Sequence, residues 1–272
     1  MSGELGPRHR VVRRLRAVLR DARAREAERV FVVEGPRAVE AALDRGAALE
    51  AVFFGPNAEV AFAPLVARVE AVGVPVELLG EGVLEKLGST VTPQPVLAVA
   101  PMPLLSGDDL AVDVLTRDGL VLVGVALADP GNVGTLLRSA EASGAAAIVL
   151  SAGSVDAYNP KVVRASAGAI FGIPVVEGWS AVEALDVLQQ HGRRRVAADA
   201  RSGTPYDAID FCVPTAVVLG NEAHGLPSEL DAHLDGRVTV PMHGSAESLN
   251  VAMAGSILCF ESARQRARGT AR

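Results

Sequence analysis

The sequence is poor in cysteine, lysine and aromatic residues, and it has no long apolar run. Its two cysteines, Cys212 and Cys259, are far apart and lack metal-ligand spacing, which argues against a disulfide framework and a zinc site. No uninterrupted apolar stretch approaches the roughly 18 to 20 residues needed to span a bilayer. The N-terminus carries polar residues and arginines without an apolar signal core. We therefore expect a cytoplasmic protein that uses neither a metal nor a membrane.

Two common nucleotide-binding motifs are also missing. Neither Gly-x-Gly-x-x-Gly nor a Walker loop occurs, and the glycine clusters fall late in the chain instead of after the first strand. These absences disfavour a nucleotide-dependent dehydrogenase and an ordinary Rossmann methyltransferase.

The charge is distributed unevenly along the chain. The formal net charge is −6, yet residues 1–29 carry nine arginines against four acids and are positive. Charge asymmetry of this kind often marks a nucleic-acid contact, for which Arg13, Arg14 and Arg16 are the candidate residues. A solvated, arginine-biased surface helix would produce the same pattern, so the charge alone leaves both interpretations open.

The length of 272 residues predicts about two domains, and 49% hydrophobic residues allow a sizeable core. A small α/β domain is predicted over residues 1–103, with strands at 31–33, 52–54, 74–78 and 96–100 and helices at 37–45, 61–72 and 81–88. Residues 104–117 are rich in Pro, Ser, Gly and Asp and are predicted to be a linker, in which a short helix near 108–115 is possible.

A second α/β domain is predicted over residues 118–272. Its strands are predicted at 120–127, 146–150, 174–176, 194–198, 215–219 and 237–241, and a helix over 248–266 closes the chain. Continuous apolar strands separated by helices indicate a parallel sheet that is covered on both faces.

Three polar clusters follow strands of this second domain, where open α/β sheets bind ligands. In the first, residues 129–138, Asn132 is suited to cap a helix, and Arg138 could present its planar guanidinium to a phosphate. In the second, residues 219–226, glycines at 220 and 225 permit close backbone approach or positive φ. In the third, residues 240–251, Ser248 and Asn250 lie at a helix start and are equally suited to capping.

The order and spacing of these clusters resemble a known family. Asn-x-Gly-Thr-x-x-Arg, Gly-Asn-Glu-x-x-Gly-Leu and Val-Pro-Met-x-Gly-x-x-x-Ser-Leu-Asn-Val are similar to the three signature motifs of the SpoU/TrmH RNA ribose methyltransferases, over about residues 117–265. The N-terminal half, with its arginines followed by Phe31-Val-Val-Glu34-Gly35, resembles that family's substrate-binding domain, which is related to small RNA-binding ribosomal proteins. Residues 159–168 match a further family segment near the RNA, which adds Lys161 and Arg164 as candidate RNA contacts.

The resemblance implies a SPOUT fold, in which a parallel-sheet methyltransferase domain contains a trefoil knot. It also implies S-adenosylmethionine as the cofactor, no metal, and a homodimer with the active site at or near the subunit interface. By motif matching the cofactor is held by Leu219, Gly220, Asn221, Gly225, Val240, Met242, Ser248 and Leu249. The catalytic surround is Asn132, Arg138, Glu222, Ser248 and Asn250.

Methyl transfer requires alignment of the ribose oxygen with the donor and removal of the hydroxyl proton. Family members are often assigned the motif-one arginine as the base, here Arg138. A guanidinium is almost never neutral near pH 7, so we favour Arg138 as a phosphate clamp and alkoxide stabiliser. Water, Glu222 and the phosphate remain open as proton acceptors. His224 and His243 are more easily explained as hydrogen-bonding loop residues.

The RNA target is predicted from domain organisation. Members with this accessory domain more often resemble ribosomal RNA methylases than the compact transfer-RNA enzymes, so structured 23S ribosomal RNA is favoured and transfer RNA is the alternative. A catalytically inactive RNA-binding paralogue is a further alternative, against which the presence of Arg138, Glu222 and Asn250 argues.

Overall fold

The computed structural model describes residues 4–87, 93–103 and 114–269, which fall into two compact units. The first unit comprises the chain up to Pro103 together with the segment Tyr158–Phe171, and the second comprises the remainder. The predicted linker 104–117 and the possible helix at 108–115 lie outside the described residues up to residue 113. In the described ranges, no helix is both long and apolar enough to cross a membrane.

The first unit has the predicted combination of helices and four strands, and the strands form a mixed sheet. β4 lies between β1 and β2 and is antiparallel to both, whereas β3 is parallel to β2. The elements are α1 (Arg10–Arg20), α2 (Ala22–Glu28), β1 (Val30–Glu34), α3 (Pro36–Asp44), β2 (Ala51–Phe54), α4 (Ala58–Ala61), α5 (Ala63–Ala71), β3 (Val76–Leu78), α6 (Val83–Leu87) and β4 (Val96–Pro101).

The segment Tyr158–Phe171 packs in this first unit although the predicted boundary at 118 assigns it to the second. Asn159 caps its helix, α8 (Pro160–Ala165), by accepting a hydrogen bond from the backbone of Lys161. The ring of Phe31 lies 5.0 Å from that of Tyr158 and 5.8 Å from that of Phe171, measured between centroids. These two rings cover the Phe31 side of β1, a strand that is buried along its whole length.

The second unit contains a seven-stranded sheet in the order β7-β6-β5-β10-β8-β11-β9, and every pairing in it is parallel. This confirms the predicted parallel sheet. Its elements are β5 (Val121–Gly124), α7 (Pro130–Ala142), β6 (Ala147–Leu150), β7 (Val175–Glu177), α9 (Ala181–Gln190), β8 (Arg194–Ala198), β9 (Thr204–Pro205), β10 (Thr215–Leu219), β11 (Gly236–Thr239) and α10 (Val251–Gly269).

β5 ends at Gly124, three residues earlier than the apolar run 120–127 predicts. The backbone turns at Ala126, whose φ is +49°, and the chain then leads into α7. Val125 and Leu127 are nevertheless buried, which explains why the apolar run continues beyond the strand. Because the strands are parallel, the loops after β5, β8, β10 and β11 emerge at the same edge of the sheet.

Candidate active site

A cleft of about 670 Å³ lies at this edge of the second unit. Three stretches of chain line it: residues 198–201 after β8, 219–226 after β10 and a third within 237–258. The structure brings together in this cleft all of the residues that motif matching assigns to the cofactor, namely Leu219, Gly220, Asn221, Gly225, Val240, Met242, Ser248 and Leu249.

The two ends of the turn after β10 are hydrogen-bonded to each other. Asn221 and Gly225 exchange backbone hydrogen bonds of 3.1 and 2.8 Å, and Gly225 has a φ of +68°. A Cβ on Gly220 would lie 2.5 Å from the carbonyl carbon of Gly225, closer than real Cβ atoms approach backbone. Glycine is therefore required at 220 for the turn to close.

Glu222 extends from this turn and joins the loop before α7. Its Oε1 accepts hydrogen bonds from Nδ2 of Asn132 at 2.8 Å and from the backbone amide of Asp129 at 3.4 Å, and its Oε2 accepts one from the amide of Ala128 at 3.4 Å. Burial raises the pKa of Glu222, but these hydrogen bonds and one from its own amide outweigh burial and hold the pKa below its ordinary value. Glu222 is therefore an ionised anchor with occupied oxygens.

Asn132 links Glu222 to the third motif. Its Oδ1 accepts a 2.9 Å hydrogen bond from Nδ2 of Asn250, whose own Oδ1 accepts from the amides of Ala252 and Met253 at the start of α10. The interpretation of Asn132 as the cap of its helix is wrong. With Pro130 in the first helical position, Asp129 is the cap and accepts from the amide of Asn132 at 2.8 Å, which leaves the Asn132 side chain available for the site.

The other two candidate catalytic residues are exposed. Arg138 lies on α7, outside the cleft lining, and its guanidinium makes no hydrogen bond or ion pair with any residue that the structure describes. Ser248 lines the cleft and likewise has no hydrogen-bond partner in the described ranges. Of the five candidates, Asn132, Glu222 and Asn250 thus form one hydrogen-bonded chain, whereas Arg138 and Ser248 remain available to ligands.

One wall of the cleft depends on charges that the sequence analysis missed. Asp199, directly after β8, accepts from the amides of Arg201 and Ser202 and pairs with Arg237 at 2.6 Å. The amide of Arg201 is the first cause of the lowered pKa of Asp199. Arg237 also pairs with Asp231 at 2.6 Å. Asp199 could have been identified from the sequence as a site residue, because it is a polar residue directly after a predicted strand.

The candidate RNA-binding residues all lie in the first unit and divide into two groups. Arg13 and Lys161 are exposed and Arg16 is half-buried, and none of the three has a side-chain partner in the described part of the chain. Arg14 instead pairs with Glu28 at 2.5 Å and with Glu50 at 2.9 Å. Arg164 pairs with Glu34 at 3.5 Å, and burial raises the pKa of that carboxyl even though Arg164 lowers it.

An open parallel sheet with a cleft at the carboxyl ends of its strands, lined by close backbone turns, is the architecture of α/β domains that bind nucleotide-like cofactors. Within residues 4–87, 93–103 and 114–269, no group of three or more His, Cys, Asp or Glu side chains could hold a metal ion.

A model of the SpoU rRNA Methylase family matches residues 119–260, and one of the MRM3-like substrate binding domain matches residues 10–98. The chain belongs to the SpoU rRNA Methylase family.

Individual relatives are similar over most of their length. The chain is 33% identical to the Bacillus subtilis (strain 168) 23S rRNA (guanosine(2553)-2'-O)-methyltransferase RlmP, across 85% of this chain and 87% of that protein. It is 32% identical to the 23S rRNA (uridine(2479)-2'-O)-methyltransferase of Streptomyces viridochromogenes, across 92% and 87%. The structure of the SpoU methyltransferase AviRb from Streptomyces viridochromogenes with the cofactor AdoMet matches with a TM-score of 0.82 at 30% identity, across 96% and 99%.

Proposed function

We propose that this protein transfers a methyl group from S-adenosylmethionine to a ribose 2'-hydroxyl of 23S ribosomal RNA. The observation that carries the proposal is the meeting of the second and third motifs in one cleft, with Asn132 hydrogen-bonded to both Glu222 and Asn250. The two curated relatives described above are both named as 23S rRNA 2'-O-methyltransferases. We include a cytoplasmic location in the proposal, because it is consistent with a ribosomal RNA substrate.

The cleft fits S-adenosylmethionine. Its volume of about 670 Å³ lies within the range of about 300 to 1,000 Å³ for small-molecule sites. The adenosyl group would be held by the backbone around Gly220, Val240, Met242 and Leu249. The turn that contains Gly220 has no room for a side chain at that position. When bound, the cofactor supplies an activated methyl group, and the protein's own task is alignment.

The residues around the cleft have distinct roles in this proposal. Glu222 is a weak base with a lowered pKa and occupied oxygens, so it fixes the loop before α7 and does not accept the ribose proton. The proton passes to water or to the RNA phosphate. Arg138, which has no partner in the described ranges, clamps a phosphate and stabilises the forming alkoxide.

The first unit supplies RNA affinity in this proposal. The match of residues 10–98 to a substrate-binding domain supports that role, as do the cations of Arg13, Arg16 and Lys161, which have no side-chain partner among the described residues. Arg14 and Arg164, which are held by carboxylates, stabilise this unit. The sequence predicts boundaries at 1–103, 104–117 and 118–272 for RNA capture, linker and methyl transfer, and in this proposal the segment Tyr158–Phe171 serves RNA capture although it lies within 118–272.

We also propose a homodimer and a trefoil-knotted second unit. Met253 and Phe260 are seven residues apart on α10, which places them on one face of the helix, and they are 54% and 52% exposed. A second copy of the chain would cover this apolar face. The insertion of β10 between β5 and β8 fits a knotted connection. Sedimentation should report a dimer, and a stable, active monomer would contradict this arrangement.

The test of the function uses ribosomal RNA from a strain that lacks this protein. Incubation with radiolabelled S-adenosylmethionine should label 23S RNA and make one ribose position resistant to alkaline cleavage. Labelling of transfer RNA alone would favour the alternative substrate. Tight RNA binding without any transfer would indicate an inactive paralogue.

A further inference from the structure

The loop that connects β5 to α7 is held by the second motif and, in addition, by two side chains from outside the three motifs. Five consecutive backbone amides, those of residues 125–129, each donate to an acceptor on another part of the second unit. Val125 donates to the carbonyl of Leu219, and Ala128 and Asp129 donate to Glu222. The two amides between them donate to serine hydroxyls.

Those two hydroxyls belong to Ser151 and Ser154, just after β6. Oγ of Ser151 accepts from the amide of Ala126 at 3.0 Å, and Oγ of Ser154 accepts from the amide of Leu127 at 3.2 Å. Each hydroxyl can donate its own proton to a carbonyl, that of Ala152 for Ser151 and that of Gly124 for Ser154. Both serine hydroxyls are therefore oriented with their lone pairs toward the loop.

Ser151 and Ser154 act where the backbone needs support. Ala126 has a φ of +49°, a conformation that costs a side-chain-bearing residue energy and persists only when its surroundings determine it. The carbonyl of Ala126 is held as well, by a 2.7 Å hydrogen bond from Nδ2 of Asn221 in the second motif. After this turn, the next amides lie within hydrogen-bonding distance of Glu222, and Asp129 lies at the start of α7. The position of Asp129 fixes that of Asn132, which bonds to Glu222.

We propose that Ser151 and Ser154 are positioning residues for methyl transfer, which hold the strained loop 126–129 so that Glu222 and Asn132 keep their catalytic arrangement. This inference rests on the proposed function. Neither serine lines the cofactor cleft, so each acts on the reaction through the loop and not through a ligand.

The test compares Ser154→Ala and Ser151→Ala with the hydroxyl-retaining Ser154→Thr. Each alanine variant should lower kcat by roughly ten- to a hundredfold, the scale expected when reacting groups are slightly misplaced, and leave the Kd of S-adenosylmethionine within about twofold. Ser154→Thr should restore most of the rate. Ser143→Ala is the matched control, because the Ser143 hydroxyl also donates to a backbone carbonyl, that of Ala140, but at the far end of α7.

Two further readouts separate positioning from loss of folding. Amide exchange at Ala126 and Leu127 should accelerate in the alanine variants, and the carboxyl of Glu222 should titrate closer to its ordinary pKa by NMR. A folded Ser151→Ala, Ser154→Ala double variant with the wild-type kcat would overturn the inference, as would an equal loss in Ser143→Ala. If the wild-type protein methylates no RNA, the proposed function fails. If amide exchange and the titration of Glu222 are the same in the alanine variants as in the wild type, the loop does not depend on the serines, whatever the outcome for the function.

Discussion

The side-chain amide of Asn250 donates a 2.9 Å hydrogen bond to Oδ1 of Asn132, 118 residues earlier in the chain. The same Asn250 side chain caps α10 through its oxygen, so one residue both starts the last helix and joins the first and third motifs. These two roles use different atoms, and substitutions can therefore separate them.

Asn250→Ser keeps an oxygen that can cap α10 but removes the amide that reaches Asn132. We expect its free energy of unfolding to stay close to that of the wild type, while kcat falls about ten- to a hundredfold. Asn250→Ala removes both interactions and should also lose about 1 kcal/mol of stability. Urea unfolding and single-turnover kinetics measure the two effects, and a fully active Asn250→Ser would show that the link to Asn132 is dispensable.

Arg138→Ala should lower kcat by about a hundred- to a thousandfold, because a donor to the developing negative charge is lost. Binding of S-adenosylmethionine should be unchanged, since Arg138 does not line the cleft. Arg138→Lys keeps the charge without the planar fork and should recover only part of the rate. Calorimetry and methyl-transfer assays make the comparison, and unchanged turnover in Arg138→Ala would refute the assigned role.

The pH dependence of stability should report the Glu222 anchor. Because its pKa in the folded chain is lower than the ordinary 4.5, the ionised carboxylate stabilises the fold above that value. This stabilisation is lost as the pH falls through the lowered pKa. The difference in unfolding free energy between wild type and Glu222→Gln should be constant from about pH 6 to 8 and shrink below about pH 4. A difference that instead changes near neutral pH would mean that Glu222 titrates there and could act as a base.

Two glycine substitutions in one turn should behave differently. Gly220→Ala places a Cβ 2.5 Å from backbone and should abolish binding of S-adenosylmethionine, because the turn must open. Gly225→Ala meets no atom within 4 Å and should cost about 1 to 2 kcal/mol from its φ of +68° while retaining measurable binding. Calorimetric titration of each variant measures its affinity for S-adenosylmethionine, and equal affinities would show that the turn is not part of the cofactor site.

Replacement of Arg13 and Arg16 by Gln should weaken RNA affinity and flatten its dependence on salt. Each lost phosphate contact lowers the slope of log K against log salt by about 0.7 to 0.9. Arg14→Gln is the matched control on the same helix, since its partners are Glu28 and Glu50, and it should lower thermal stability with little change in slope. Equal slopes in all variants would mean that α1 does not contact RNA.

The sequence predicts the elements well where periodicity and turn residues agree. The strand at 215–219 and the glycines that follow it indicated both the parallel sheet and the ligand edge, and the structure has β10 at those residues. The end of β5 could not be predicted in this way. Val125 and Leu127 are buried beyond the strand, and the turn at Ala126 is fixed by hydrogen bonds to residues far along the chain, namely Ser151, Ser154 and Asn221.

Long-range pairing limited the prediction of side-chain roles. Motif order pointed to Asn132, Glu222 and Asn250, but the bond of Asn132 to both of the others depends on how loops far apart in sequence meet. Arg14 and Arg16 are equivalent in local sequence, and only the folded positions of Glu28 and Glu50 distinguish them. Asp129 and Asn132 are both good capping residues, and the position of Pro130 decided between them.

The packing of Tyr158–Phe171 constrains how such a chain can be divided or recombined. A gene cut between residues 103 and 118 would encode an N-terminal product in which Phe31 lacks the two rings that cover it. The remaining product would carry the buried faces of Tyr158, Val162 and Ile170 into water. A chimaera that takes its first unit from one relative must therefore take the segment that corresponds to Tyr158–Phe171 from the same relative.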